Sequence, residues 1–350
     1  MSPVTPGSFI WHELLTPDPD AAIGFYENVV GWGVMPWQQD PNYRMFVWNG
    51  VPMAGVMRLT EEVPSGGGGP AWLSYVSVAD VDATLVRIEA LGGRTHAGPM
   101  DVPTVGRIAV VADPQGAVLG IYRPDMDGPE GDALVLGDFS WHELVANDWK
   151  AAWDFYRAVF GWEFASQFDM GEWGMYWMFR RPGSSRTLGG MYNRPPSIPA
   201  PHWLPYVHVT SADRAAELAG QRGGRVVHGP SDVPGGDRIA QIFDPQGAAF
   251  AVHAVAAAPA VKPKPTTSPA AKPVAAKPPA KAPAAKRTPA KREPAKMPRA
   301  AKAARSAGRP VKKTSVKKAV APQGRPVKKL AAKKPAKSTG RPVKKTPGRG

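Results

Sequence analysis

The 350-residue chain contains no cysteine. Disulfides, thiolate nucleophiles and cysteinyl metal sites are therefore excluded. No run of 18 apolar residues occurs, which argues against a transmembrane helix. The opening MSPVTPGSFIWHEL lacks a basic stretch followed by an apolar one. No secretory leader is expected, and a cytoplasmic location follows as the default. The phosphate-binding patterns GxGxxG and GxxxxGKS and the nucleophile elbow GxSxG are missing too. PSGGGGP at 64–70 has no strand–loop–helix context and reads as a connection. Aromatic and acidic residues are scarce in one region only. Residues 259–350 have no Trp, Tyr or Phe and a single acid, Glu293.

That region holds 28 Lys or Arg and carries a net charge near +27, against about −12 for residues 1–258. All 12 Trp, 11 Phe and 8 Tyr belong to the first 258 residues, enough for one large domain or two of about 120 residues. The basic tail cannot bury enough apolar surface to offset chain entropy, and disorder is expected there.

The first 258 residues are a duplication. GSFIWHELLTPDPDAAIGFYENVVGW at 7–32 returns at 137–162 as GDFSWHELVANDWKAAWDFYRAVFGW. LSYVSVADVDATLVRIEALGGRTHAGPMDVPTVGRIAVVADPQGAVLGIY at 73–122 returns at 204–253 as LPYVHVTSADRAAELAGQRGGRVVHGPSDVPGGDRIAQIFDPQGAAFAVH. The reading is module 1 at 7–122, a linker at 123–136 and module 2 at 137–254. Within module 1, Phe9–Leu15 has strand character, Asp18 can cap a helix carrying Ala22, Phe25, Tyr26 and Val29, and Gly31 stops it. Strand runs follow at Arg44–Trp48 and Ala54–Leu59. Then come strand Leu73–Val78, a helix over Val81–Leu91, and strands Arg107–Val111 and Ala117–Tyr122 around the turn DPQG. The fold class expected is α+β, a sheet with helices on one side.

FY..V.GW after the first helix start, DPQG before the last strand, and the doubling of both give a pattern that resembles the vicinal oxygen chelate family, which includes glyoxalases, ring-cleaving dioxygenases and bleomycin-resistance proteins. The resemblance covers about residues 7–254. It implies tandem modules of paired βαβββ units, each curling around a cup, where family enzymes hold one divalent metal. Carried over by position, the metal ligands fall on Trp11 and Trp141, Leu73 and Leu204, and Gly120 and Ala251, none of which binds metal through its side chain. His12 and His142 lie one residue away and face the opposite side of their strands. His12, His142, His208 and His253 converge on a metal only if a bulge near the first strand shifts that parity; otherwise His12 and His142 sit beneath a helix or at a module interface. Glu13 and Glu143 share the parity of the tryptophans, and each has a structural reading and a ligand-contact or acid–base reading. A charge there needs a partner, and Arg107 and Arg238 are candidates.

The expectation is a metal-free, cofactor-free binding protein for a small apolar or aromatic ligand, contacted by Trp11, Glu13, Trp48, Trp141, Glu143 and Trp177. The alternative is a lyase or oxidoreductase using a non-standard site. A monomer or a homodimer suits the sequence, and no membrane partner is expected.

The tail resembles linker-histone tails. GRPVKK recurs from Gly308, Gly324 and Gly340, and its Gly-Arg-Pro core resembles the AT-hook. Duplex DNA is the expected partner, and a nucleoid association follows from it. Arg309, Arg325 and Arg341 would reach the minor groove, and Lys312, Lys313, Lys328, Lys329, Lys344 and Lys345 would sit on phosphates. The AT-hook has Arg before its Gly, where this chain has Ala307, Gln323 and Thr339. A structural nucleoid-associated protein is the third reading.

Overall fold

A computed structural model describes residues 5–60, 68–126 and 133–256. Every nucleic-acid residue expected in the tail, Arg309 to Lys345, lies outside them. Module 1 runs β1 (Phe9–Thr16), α1 (Pro19–Val29), β2 (Gly33–Trp37), β3 (Asp40–Trp48), β4 (Val51–Arg58), β5 (Ala71–Ser77), α2 (Val81–Ala90), β6 (Arg94–Val102), β7 (Gly106–Ala112) and β8 (Val118–Pro124). Module 2 repeats this as β9 (Phe139–Ala146), α3 (Trp149–Phe160), β10 (Glu163–Asp169), β11 (Met175–Arg180), β12 (Thr187–Asn193), β13 (His202–His208), α4 (Ala212–Gln221), β14 (Arg225–Asp232), β15 (Arg238–Phe243) and β16 (Ala249–Ala254). Each module is two βαβββ units joined into one eight-stranded sheet, in the order β2-β3-β4-β1-β5-β8-β7-β6 and its equivalent. The strand at 118–124 continues two residues into the stretch read as linker.

The outermost strands β2, β6, β10 and β14 have no counterpart in the runs read from sequence. β2 and β6 are mostly exposed and contain Pro36 and Pro99, so they lack the apolar alternation that marks a half-buried strand. Both sheets curl. In module 1 the Gln39 amide donates to Thr104 Oγ1 at 2.6 Å, joining the β2–β3 hairpin to the β6–β7 turn. These hairpins occupy opposite ends of the sheet order. A flat sheet of eight strands about 4.8 Å apart would hold the two turns about 29 Å from each other.

Asp18 caps α1 as expected, and the other helices are capped in the same way. Asp18 and Asp148 accept from backbone amides of the first turns of α1 and α3, and Asp80 and Ser211 cap α2 and α4. Two hydrophobic cores result, and each draws on both modules. Leu14, Tyr26, Trp32 and Phe46 join Val207, Ala216 and Phe250 in one; Leu85, Leu119 and Ile121 join Tyr156, Trp162 and Phe179 in the other.

The duplicated motifs stitch the modules together. The Tyr26 hydroxyl donates to Asp244 of the second DPQG turn at 3.2 Å, and Tyr156 to Asp113 of the first at 3.0 Å. The Trp32 indole donates to the Gly137 carbonyl at 2.7 Å and Trp162 to that of Gly7 at 2.8 Å. The turn glutamines Gln246 and Gln115 bond both the backbone N–H and the carbonyl of Asp18 and Asp148. The residues that carry the family pattern are thus structural, and every one of these bonds crosses from one module to the other.

Candidate functional site

Parity along β1 sorts the candidates. Trp11 and Glu13 face into the curled sheet, and His12 and Leu14 face the shared cores. His12 and His142 meet at the module interface, Nε2 to Nε2 at 2.8 Å. Phe139 stacks on the His12 ring and Phe9 on the His142 ring, each at 3.6 Å between centroids. His142 Nδ1 lies 3.2 Å from the Leu188 carbonyl. If Nδ1–H donates there, His142 Nε2 is the acceptor and His12 Nε2–H the donor. Burial lowers His12 well below the usual range, with His142 adding to the effect, and burial lowers His142 to about 3. Two neutral imidazoles sharing one proton on the interface face are structural, and they do not converge with either glutamate. A shift of register does occur in β1, at Phe9/Trp11, but it precedes His12.

Inside module 1, Glu13 Oε1 accepts from the Tyr43 hydroxyl at 2.8 Å and Oε2 from that of Tyr75 at 2.7 Å. Trp11 Nε1 donates to Tyr43 Oη at 2.9 Å. Burial raises the Glu13 carboxyl, and the tyrosine bonds moderate the rise. Leu73, Val110, Ile108, Val118 and Tyr122 pack around them. In module 2, Glu143 Oε2 accepts from Tyr176 at 3.0 Å and Oε1 from the Gln241 amide at 3.1 Å; that amide also donates to Tyr206 Oη at 2.8 Å. Trp141 Nε1 donates to Tyr176 Oη at 2.9 Å. Burial pushes Glu143 up to about 7, with hydrogen bonds from Tyr176, Tyr206 and Gln241 opposing it. Each cup therefore centres on a carboxyl group bridged to tyrosines, beside an indole.

The metal the fold family uses does not fit these residues. At the last-strand ligand position stands Gly120, and a Cβ there would run into the Tyr75 ring. Leu73 and Leu204 are buried among apolar side chains. Among the described residues no three His, Asp or Glu side chains cluster as a metal site.

Three expectations need correction. Trp48 lies on the core face, against Gly31 and Gly137, because β3 alternates and Tyr43 takes the cup side. Trp177 stacks on Trp149 at 5.0 Å beneath α3, while its neighbour Tyr176 reaches the cup. Arg107 pairs with Asp82 and Asp101, and Arg238 with Asp213 and Asp232, so neither serves a cup glutamate. The tyrosines were legible. Tyr75 and Tyr206 sit two residues after the leucines at the ligand position, on the same strand face, in both modules.

The raised Glu143 has a measurable consequence. Its folded-state value near 7 lies above the ordinary 4.5, so its stabilising contribution is full below about pH 4.5 and is lost as pH rises through 7. The swing is about 3 kcal/mol at most. The histidines act oppositely, removing stability as pH falls below about 6.5. Urea unfolding from pH 5 to 8 should therefore show Glu143→Gln gaining stability relative to wild type as pH rises. Parallel curves for the two proteins would contradict the assignment.

The Glyoxalase/Bleomycin resistance protein/Dioxygenase superfamily profile matches residues 8–121 and again 139–252. The anthracycline biosynthesis protein DnrV of Streptomyces peucetius is 34% identical over 266 residues, covering 72% of this chain and 94% of its own. The Mycobacterium tuberculosis protein CFP32, whose name assigns it provisionally to the glyoxylases, is 32% identical over 250 residues, covering 69% and 92%. Among solved structures, the Mn(II)-bound glyoxalase of Novosphingobium aromaticivorans superposes with a TM-score of 0.51 at 18% identity, covering 73% of this chain and 83% of that one.

Proposed function

The chain belongs to the Glyoxalase/Bleomycin resistance protein/Dioxygenase superfamily, and from that premise we propose that it binds a small planar aromatic molecule without a metal, while its basic tail holds duplex DNA. The carrying observation is the carboxyl–tyrosine–indole cluster in each cup, Glu13 with Tyr43, Tyr75 and Trp11, and Glu143 with Tyr176, Gln241 and Trp141. An apolar aromatic lining with one polar anchor is the usual make-up of a small-molecule site. One relative is named for anthracycline biosynthesis, and anthracyclines are planar polycyclic aromatics, which supports that ligand class. The tail, with 28 cations and three GRPVKK copies, supplies phosphate contacts. The proposal is of a cytoplasmic, nucleoid-associated protein, a monomer or a homodimer.

A second reading rests on Glu143. A carboxyl group poised near 7 can both give and take a proton at neutral pH, which suits a metal-free lyase or isomerase step on a bound ligand.

Calorimetric titration of the full-length protein with 2-naphthol tests the binding reading. Replacing Glu13 and Glu143 together by alanine should weaken binding at least about tenfold, equivalent to ~1.4 kcal/mol. Added Mn(II) or Zn(II) should leave the wild-type affinity unchanged. Binding that requires a metal, or that survives the double substitution, would overturn the reading.

A further inference from the structure

The cross-module hydrogen bonds of the Tyr, Trp and Gln side chains each occur twice, once in each direction. One contact differs: His12 meets its own repeat, His142, so the two rings lie on the axis that relates the modules. The pair is enclosed. His12 is 3% exposed and His142 4%, and each ring is stacked on a phenylalanine of the other module. Phe9 packs in turn against Trp162 and Trp203, and Phe139 against Trp32 and Trp72.

The surroundings offer a positive charge nothing to pair with. The flanking strands put Ser74 opposite His12, and Gly189 and Pro205 opposite His142, none of which carries charge. Among the described residues no carboxylate bonds to either ring. The charged group that acts on the pair from outside is itself a cation, Arg186, whose Nη2 reaches the Phe139 carbonyl at 3.4 Å. Glu13 and Glu143 stand on the opposite faces of β1 and β9, engaged by their tyrosines. A proton arriving here would be buried beside a second imidazole and near Arg186, without a counterion.

We infer that the His12–His142 pair is an acid-sensitive joint, through which mild acid loosens the two shared cores before it disturbs the cups. The sign follows from burial. Both imidazoles are lowered from their ordinary value in the folded chain. Their stabilising contribution is therefore complete above about pH 6.5 and drains away as pH falls below it. Asp113 and Asp244, which accept the tyrosine bonds across the same interface, are raised by burial and act in the opposite sense as they gain protons. Substituting the histidines separates the two effects.

The chain has no cysteine, so a single introduced thiol reports on one place. Ala216→Cys lies on α4 in a core shared by both modules, where α4 packs against α1. Val110→Cys lies in the cluster around the module 1 cup, which draws on module 1 alone. The test is the rate at which dithiodipyridine modifies each variant of the full-length protein, relative to a free thiol at the same pH. From about pH 6.5 to about 5.5 the Ala216→Cys rate should rise about thirtyfold, the factor for two imidazoles gaining protons on exposure. The Val110→Cys rate should change less than about threefold. His12→Gln with His142→Gln should abolish the rise at Ala216→Cys; His142→Gln alone, should the double variant misfold by near-UV circular dichroism, should cut it to about fivefold. No rise at Ala216→Cys, an equal rise at both thiols, or a rise undiminished by the histidine substitutions would overturn the inference.

Discussion

Full-length protein should lose about 10³- to 10⁵-fold in affinity for duplex DNA between 50 and 200 mM salt, the behaviour of a ligand making six to ten phosphate contacts. The charge is there to do it: 28 Lys or Arg against one acid over residues 259–350. The body, net about −12, repels phosphate. A shortened chain ending at residue 258 should show no measurable binding at 150 mM salt. The GRPVKK copies sharpen the expectation. If Arg309, Arg325 and Arg341 enter the minor groove, A·T-rich duplex binds more tightly than G·C-rich duplex, because its groove is narrower and more negative. Replacing those three arginines by lysine would then erase the preference while changing the salt slope little. Binding retained by the shortened chain, or a slope near zero, would contradict a tail-borne DNA function.

Trp32→Ala should cost about 3–5 kcal/mol of stability, the range for deleting a large buried aromatic. Trp32 is 2% exposed, stacks on Phe46 at 4.9 Å, and donates to Gly137 of the other module. The substitution opens a cavity in a core built by both modules and leaves a buried carbonyl without its donor. Trp162→Ala should cost the same, since Trp162 repeats every contact type toward Gly7 and Phe179. A phenylalanine at either position keeps most of the ring volume and loses the N–H, for about 1–2 kcal/mol. Urea midpoints at constant m-value give the comparison. A cost below 1 kcal/mol for Trp32→Ala would mean that the modules hold together by other contacts.

Much of this architecture is legible in the residues. The repeat at 7–32 and 137–162 reveals two modules, and Asp18, Gly31 and the apolar spacing between them delimit α1 within two residues. The edge strands were not legible, because an edge such as Arg94–Val102 buries little and carries Pro99, so the period-2 signal vanishes. The mutual dependence of the modules was hidden as well. Tyr26 and Asp244 are 218 residues apart, and nothing local in either motif tells which module its partner belongs to.

The site was half legible. Strand parity at Trp11, His12 and Glu13 placed the glutamate in the cup and the histidine out of it. Parity applied to β3 and β11 would have shown the same for Tyr43 and Tyr176. Aromatic content alone led to Trp48 and Trp177, which belong to the cores. Arg107 and Arg238 are drawn off by acids on the preceding helix and strand, Asp82 and Asp101 for one and Asp213 and Asp232 for the other.

The most direct test is the crystal structure of the full-length protein with 2-naphthol. The expected result is the ring against Trp141, its oxygen within hydrogen-bonding distance of the Glu143 carboxyl group or Gln241, and no ion between them. A ring bound outside the cups, or a metal ion coordinated by Glu143, would contradict a metal-free aromatic site.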